Sequence, residues 1–291
     1  MKVKRFRLGL ERRKMVAGYI YISPWIIGLV LFMLYPLLYS LWFSFHEVQG
    51  VGQLQLEPTG WDNFRKAFAL DTEFVPRFIS VMQDTFINTP LIMVFSLFIA
   101  ILLNHKIKAR ALFRASFFLP VLIGTGLVMQ QLLSAGVGKD TLVNGIGVPD
   151  EVFLYMGPSF SAVVFDMLSR LTIVFWKTGV QILLFLAGLQ GISPALFESS
   201  RCDGATEWEN FWKITLPLIS PVILLNLVYT LVDSFTDINN RMMDYIKDTA
   251  FVKIEMGYAS AMGWIYFLFI FIVLILVFLL TRRLIFYTGE R

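Results

Sequence analysis

Long apolar stretches that lack charged residues recur along the chain, and they are its strongest pattern. A helix that crosses the roughly 30 Å hydrocarbon core of a bilayer needs about 20 apolar residues. Gaps of this length between charged residues predict transmembrane helices, because β-barrel strands would instead show short segments of alternating polarity. The predicted spans cover residues 17–45, 85–104, 113–134, 171–191, 216–233 and 259–283.

The Lys and Arg residues are divided unequally between the segments that join these spans. The N-terminal tail 1–14 holds seven of them and the 104–114 loop holds four. In total, the side of the membrane that carries both termini has sixteen of the 25 Lys and Arg residues, and the three opposite loops have eight. The remaining one, Lys177, lies inside a predicted span. Short cytoplasmic loops are enriched in Lys and Arg. The sequence therefore predicts an all-α membrane protein with six transmembrane helices and both termini in the cytoplasm.

A secretory signal peptide is the competing interpretation of the N-terminus, because a basic tail precedes the first apolar stretch. The apolar part of a signal peptide is only about 7–15 residues long, and this stretch is far longer. We therefore predict an uncleaved first span, kinked at Pro24 and Pro36, which membrane helices tolerate. The chain then divides into a basic tail (1–14), a transmembrane domain (15–286) and a C-terminal tail (287–291).

Composition narrows the classes of function. Hydrophobic residues make up 57% of the chain and charged residues 16%, whereas soluble domains are nearer 45–50% apolar and about 25% charged. One cysteine and two distant histidines exclude a disulfide framework within the chain and make a metal cluster improbable. The glycines near Lys139 lack the spacing of a phosphate-binding loop. We expect no metal, no cofactor and no nucleic-acid partner, and any energy from ATP must come from another subunit.

Two segments predicted to lie outside the cell combine polar and aromatic residues. Segment 46–84 is expected to form short helices, whose aromatic residues either lie at the lipid headgroups or contact a partner protein. Segment 233–258 is charged and is expected to cap the external mouth of the helices.

The cytoplasmic loop 192–217 has the most informative pattern. Apolar and aromatic residues from Phe197 to Trp212 recur every three or four positions, as on one face of a helix, and the other face is acidic. Gly204 interrupts the pattern, so two short helices joined at a bend are predicted, the first beginning near Pro194. The pair either lies on the bilayer or fits a groove in a protein. The acidic face favours the groove, since helices that lie on lipid are usually basic.

The same loop resembles the membrane-spanning permease subunits of ATP-binding-cassette (ABC) importers. Their motif is Glu-Ala-Ala, a Gly six residues after the Glu, and then Ile-x-Leu-Pro. The matching residues are Glu198, Gly204, Ile214, Leu216 and Pro217. Ser199 and Ser200 replace the two alanines, and both are small enough for close packing. Phe118–Pro120, Trp176–Lys177 and Ala187–Gln190 are similar to the carbohydrate-importer group of these permeases.

The resemblance implies a type I ABC importer permease, which is not an enzyme, in the inner membrane of a bacterium. Its implied partners are a second permease subunit, two cytoplasmic subunits that bind ATP and Mg²⁺, and an extracytoplasmic binding protein that delivers a sugar or oligosaccharide. The residues implied to couple the chain to the ATPases are Glu198, Ser199, Ser200, Asp203, Gly204, Ala205, Trp208, Phe211, Ile214, Leu216 and Pro217. The alternatives are a permease for another solute such as glycerol phosphate, and an ion-coupled carrier.

Several polar residues lie inside the predicted spans, where an unpaired polar group is costly. We expect them to line the path of the solute. The alternatives are hydrogen bonds between helices and, for one lysine, a side chain that reaches the outer membrane surface. The candidates are Asn88, Gln130, Lys177, Gln181, Asn226 and Asp233.

Overall fold

The structure is a computed structural model that describes residues 10–49, 55–105, 158–237 and 240–282, with the single positions 112, 115, 116 and 119. The predicted third span, apart from three of these positions, and Gln130 lie outside the described residues. The chain forms two compact units. The first comprises Met1–Arg77 and Arg241–Phe269, and the second comprises Phe78–Asn240 and Ile270–Arg291.

The first apolar stretch is helical throughout, in three parts. Helix α1 (Leu10–Leu29) leads into a π-helical turn (Val30–Leu34) and then helix α2 (Tyr35–Phe43). Pro24 lies within α1 without interrupting it. The wide turn directly precedes Pro36, whose missing N–H and bulky ring disfavour a regular helical turn. No residue of the most apolar part of this segment is buried within the chain.

The segment after α2 corrects the prediction of an all-α chain. Strands β1 (His46–Gln49) and β2 (Gln55–Pro58) form an antiparallel hairpin, with His46 opposite Pro58. A short helix α3 (Asp62–Arg65) and a π-helical turn (Lys66–Leu70) follow. Open strand edges are excluded from hydrocarbon, but water can satisfy their backbone groups. A two-stranded hairpin is therefore compatible with a loop outside the bilayer, which the search for apolar stretches did not consider.

The hairpin is fixed to its surroundings by one buried side chain and one glycine. Asn63 Nδ2 donates to the carbonyl oxygens of Ser44 at 3.0 Å and His46 at 3.1 Å. A Cβ atom added at Gly257 would overlap the His46 carbonyl oxygen. Only glycine therefore permits this close approach within the first unit.

Two long helices extend well beyond the spans predicted for them. Helix α4 (Phe74–Asn104) has 31 residues and helix α5 (Pro158–Gln190) has 33, against about 20 needed for hydrocarbon. Their additional residues lie on the side predicted to be external and include Arg77, Asp84 and Arg170. The predicted spans stopped at charged residues, because the apolar pattern ends there. The helices themselves continue past these residues, since a helix does not need an apolar surface in water.

The remaining elements follow in short order. They are α6 (Pro194–Cys202), α7 (Glu207–Asn210), a π-helical turn (Phe211–Thr215), α8 (Leu216–Leu218), α9 (Ser220–Thr236), α10 (Arg241–Lys247), a second such turn (Asp248–Val252) and α11 (Met256–Thr281).

Among the described residues, four helices are long and apolar enough to cross a membrane: Ala17–Phe43, Phe74–Asn104, Ile173–Gln190 and Met256–Thr281. The segments Glu207–Leu218 and Ser220–Thr236, bent by 67°, make a fifth if they are one broken span. The chain is therefore a mostly helical, multi-pass membrane protein.

The core of the second unit joins α4, α5 and the start of α9. Ala100, Ile182, Phe185 and Ile219 are among its fully or almost fully buried residues. These side chains pack α5 against α4 and against the start of α9. The two ends of the segment that connects α5 to α9 are therefore anchored in one packed layer.

Candidate functional site

The segment between α5 and α9, residues 191–219, forms the predicted pair of short helices and is called the coupling segment below. Pro194 lies in the first turn of α6, as predicted. Gly204 has a φ of +81°, a conformation that residues with a Cβ adopt at a cost. Its N–H donates to the Arg201 carbonyl at 3.1 Å, and the Ala205 N–H donates to that of Ser200 at 2.9 Å. The bend at Gly204 is thus confirmed, and hydrogen bonds define it.

Helix α7 starts with a reciprocal cap that the sequence analysis missed. The Glu209 N–H donates to Thr206 Oγ1 at 3.3 Å, and the Thr206 N–H donates to Glu209 Oε2 at 3.0 Å. The signal was present, because Thr and Glu three residues apart before a helix form a capping box. An ion pair of 2.8 Å between Arg201 and Glu207 also links α6 to α7. The two helices are thereby held in one arrangement.

An aromatic cluster projects from the coupling segment. Trp208 is 69% exposed and Trp212 is 50% exposed, and their ring centroids lie 5.6 Å apart. Phe211 contacts Trp212 with a centroid distance of 5.1 Å. The carboxylates of Glu198 and Asp203 are exposed on the same short segment. The segment thus exposes both aromatic and acidic side chains. Exposed aromatic groups are typical of protein contacts, and acidic groups disfavour a position against anionic lipid.

The rest of the motif connects this surface to α9. Ile214 lies in the π-helical turn, and Leu216 and Pro217 lie in α8, all three half-buried. Asn210, just before the turn, is buried, and neither of its side-chain polar atoms has a hydrogen-bond partner. The aromatic surface therefore joins the membrane helix through a wide turn and a sharp bend. The two serines of the motif differ: Ser199 is exposed, and the Ser200 hydroxyl donates to the Phe197 carbonyl at 2.9 Å.

Gln181 and Asn226 join α5 to α9 deep in the second unit. Asn226 Nδ2 donates to the Gln181 backbone carbonyl at 3.0 Å, and Gln181 Nε2 donates to Thr230 Oγ1 at 3.3 Å. Asn226 is 0% exposed and Gln181 is 1% exposed. Both side chains thus form bonds between α5 and α9, which favours the alternative of hydrogen bonds between helices. Each retains a buried oxygen without a hydrogen-bond partner.

The other intramembrane candidates have charged partners. Lys177 Nζ lies 2.6 Å from a carboxylate oxygen of Asp237 and 3.8 Å from one of Asp233. These ion pairs join α5 to the end of α9, and Asp237 was not among the predicted residues. Asn88 Oδ1 accepts a hydrogen bond of 3.3 Å from Arg170 Nη1. Within the described parts of the chain, no group of three or more His, Cys, Asp or Glu side chains could hold a metal ion.

In the first unit, the structure places Asp71 at a junction of three helices, which no sequence pattern indicated. Its Oδ1 accepts the N–H groups of Glu73 at 2.8 Å and Phe74 at 3.1 Å, which caps α4. Its Oδ2 accepts the hydroxyl of Tyr245 in α10 at 2.7 Å and the hydroxyl of Tyr258 in α11. Burial acts to raise the pKa of this carboxyl, but these four hydrogen bonds outweigh burial and lower its pKa.

This lowered pKa predicts how the stability of the first unit depends on pH. A carboxyl whose pKa is lower when folded stabilises the fold above its unfolded pKa of about 3.9, and loses that contribution as the pH falls through the folded value. We expect the thermal stability of the chain in detergent to decrease below about pH 4, and Asp71→Asn to weaken that decrease. The exposed Asp248→Asn is the matched control. Equal acid sensitivity in all three proteins would contradict the assignment.

The chain is similar over nearly its whole length to sugar permeases. It is 30% identical over 289 residues to a probable ABC transporter permease protein of Bacillus subtilis, YesP, with 92% of this chain and 91% of that protein covered. It is 29% identical to a lactose transport system permease protein of Rhizobium radiobacter, LacF, with 76% of this chain and 74% of that protein covered. An arabinooligosaccharides transport system permease protein of Halalkalibacterium halodurans, AraP, is 28% identical, with 89% and 85% covered.

Solved structures show the same fold. The chain matches a crystal structure of a bacterial ABC transporter that imports the acidic polysaccharide alginate, with a TM-score of 0.62, 19% identity, and 94% of this chain and 97% of that chain covered. A second structure shows a bacterial alginate ABC transporter in complex with an alginate pentasaccharide-bound periplasmic protein. The chain matches it with a TM-score of 0.64 and 21% identity, and 95% of this chain and 98% of that chain are covered. No protein-family model matches. The 30% identity to YesP over nearly the whole chain, together with the acidic, bent coupling segment, identifies the chain as a transport protein rather than an enzyme: it belongs to the membrane-spanning permeases of ABC transporters.

Proposed function

We propose that this chain is one membrane subunit of an ATP-driven importer, in the inner membrane of a bacterium. It would cross the membrane six times, with both termini in the cytoplasm. The observation that carries the proposal is the coupling segment: an exposed aromatic and acidic surface, held in one conformation by a capping box, between two packed helices. Such a surface suits a groove in a cytoplasmic ATPase, and closure of the ATPases would move it.

The other partners follow from what the chain supplies and lacks. Its sequence offers no nucleotide-binding loop, so ATP and Mg²⁺ would bind to two partner ATPase subunits. A second, homologous permease would complete the membrane part. An extracytoplasmic binding protein would deliver the solute, as the alginate relative with its periplasmic protein suggests. Transport would proceed by alternating access: ATP-driven closure brings the coupling segments together and opens the path outward, and hydrolysis resets it.

The proposed solute is a sugar or oligosaccharide. The relatives named for lactose and for arabinooligosaccharides support this class, and one named for sn-glycerol-3-phosphate keeps glycerol phosphate as the alternative. Along α5 and α9, Asp233 is a better candidate to contact the solute than Gln181 or Asn226, because its side chain is 39% exposed whereas theirs are buried.

Uptake into proteoliposomes tests the proposal. The complex is purified through a tag on this chain, and its subunits are identified by mass spectrometry. It is then reconstituted with ATP inside the vesicles and the binding protein outside. Lactose, trehalose, maltose, arabino-oligosaccharides, alginate oligosaccharides and glycerol 3-phosphate are the solutes offered. We expect ATP-dependent uptake of at least one sugar. Uptake driven by an ion gradient without ATP would contradict the proposal and favour an ion-coupled carrier.

A further inference from the structure

Helices α5 and α9 leave the coupling segment together, and close contacts join them first at the level nearest to it. A Cβ atom added at Gly188 would lie 2.8 Å from Val222 Cγ2, which shows that the helix backbones approach closely here. Ile182, Phe185 and Ile219 are buried in the same layer. Close packing of this kind resists sliding, because protein interiors have little free volume.

Hydrogen bonds join the same two helices at the next level. Gln181 of α5 contacts Asn226 and Thr230 of α9. The Thr230 hydroxyl also donates to the Asn226 carbonyl of its own helix at 2.8 Å, which orients it towards Gln181. All three side chains are buried. Water cannot readily replace these bonds at this depth, so separating the helices here would leave polar groups unsatisfied.

Ion pairs join the helices at a third level. Lys177 lies on α5, Asp233 lies near the end of α9, and Asp237 follows α9 directly. The Lys177 and Asp237 side chains are only 17% and 25% exposed. Charges attract each other more strongly where little water screens them. At about 1.5 Å per residue, Lys177 lies roughly 20 Å along α5 from its end at Gln190.

We propose that the ion pairs of Lys177 with Asp237 and Asp233 form an outer clamp that makes α5 and α9 one rigid lever. This inference rests on the proposed function. The coupling segment closes the lever at its inner end, and the clamp closes it at the outer end of α9, near the middle of α5. A movement of the coupling segment is then carried along both helices as far as the clamp, rather than dissipated by their separation. Lys177 acts as a positioning residue for the transport cycle.

The clamp is expected to stay closed throughout the cycle rather than to open as a gate. One ammonium group is shared by two carboxylates, so opening the clamp would leave like charges beside each other at a poorly solvated site. The two deeper levels hold the same pair of helices. The outer end of α9 extends beyond these two levels, so it depends on the clamp to stay beside α5.

The number of solute molecules transported per ATP hydrolysed tests the clamp. In proteoliposomes with the solute that the wild type transports, we expect Lys177→Gln and Asp237→Asn to lower this ratio by about fivefold or more, the lower end of typical coupling between distant sites. ATP hydrolysis should persist, and Lys177→Arg should keep the ratio. Lys247→Gln, which removes an exposed ion pair with Asp244, is the matched control. An unchanged ratio in Lys177→Gln would overturn the inference.

A cross-link distinguishes a clamp from a gate. Cysteines replace Lys177 and Asp237 in a Cys202→Ser background, whose own ratio is measured first, and a short bifunctional thiol reagent bridges them. We expect the unbridged variant to be poorly coupled and the bridge to restore coupling. Loss of transport on bridging would show that the two side chains must separate, which would overturn the clamp. If the wild type shows no ATP-dependent uptake, the proposed function fails instead.

Discussion

Gly257→Ala is expected to remove most of the folded protein from the membrane. The added methyl group would overlap the His46 carbonyl oxygen and would also lie 3.2 Å from the Phe43 carbonyl oxygen. Both are backbone atoms, so no side chain can rotate away to make space. Overpacking of this kind costs about 3 kcal/mol or more when the backbone must move, a large share of the typical stability of a domain.

Expression level in the membrane and thermal unfolding in detergent measure this effect. Gly263→Ala is the matched control, because it lies in the same helix, α11, and an added Cβ there meets nothing within 4 Å. Alanine favours helix over glycine by up to about 1 kcal/mol, so the control should equal or exceed the wild type. A Gly257→Ala protein as stable as the control would contradict the close approach in the first unit.

Gly204→Pro is expected to uncouple ATP hydrolysis from transport while the chain still inserts. Proline fixes φ near −65°, whereas Gly204 has a φ of +81°. Proline also removes the N–H that donates to Arg201. The bend would therefore have to change, and the aromatic surface around Trp208 would move relative to α6. We expect transport to fall at least about tenfold, the factor that corresponds to ~1.4 kcal/mol.

Asparagine provides the control at the same position. Among residues with a side chain, Asn adopts this left-handed conformation most readily, so Gly204→Asn should retain most of the transport. The two variants should accumulate equally in the membrane, because Gly204 is exposed and an added Cβ meets nothing within 4 Å. Equal transport by both variants would mean that the bend does not matter for coupling.

The apolar stretches predicted where most of the membrane helices lie. A charged side chain in hydrocarbon is costly, so a segment that crosses the membrane is visible in the sequence as a stretch without charged residues. The same reasoning missed the outer parts of α4 and α5. Arg170 and Asp84 ended the predicted spans, yet in the structure they lie 3.5 Å apart. A pair of charges from distant parts of the chain stabilises helices beyond the bilayer, and no local pattern reports it.

In the candidate site, too, local sequence predicted some features and missed those that depend on contacts between distant parts of the chain. The bend at Gly204 was predictable, because short-range periodicity and one glycine determine it, whereas the spacing from Glu198 to Pro217 gained its meaning from the resemblance to ABC importer permeases. The partners of Lys177 and the junction at Asp71 were not, since they depend on which helices become neighbours. Gln181 and Asn226 illustrate the limit. Their polarity predicted that they would avoid lipid, but polarity alone does not separate a contact with solute from a contact with another helix.

The first helical segment has a consequence for how the protein is made. Among the described residues, nothing buries the most apolar window of Ala17–Phe43, so this window gains little stability from the described parts of the chain that are synthesised later. Its apolar length must be sufficient for it to partition into the bilayer as soon as it emerges from the ribosome. A first span usually sets the orientation of the segments that follow it, and the basic start of this one fits that role. Biogenesis of this permease should therefore tolerate errors in later helices better than a charge introduced near Leu31.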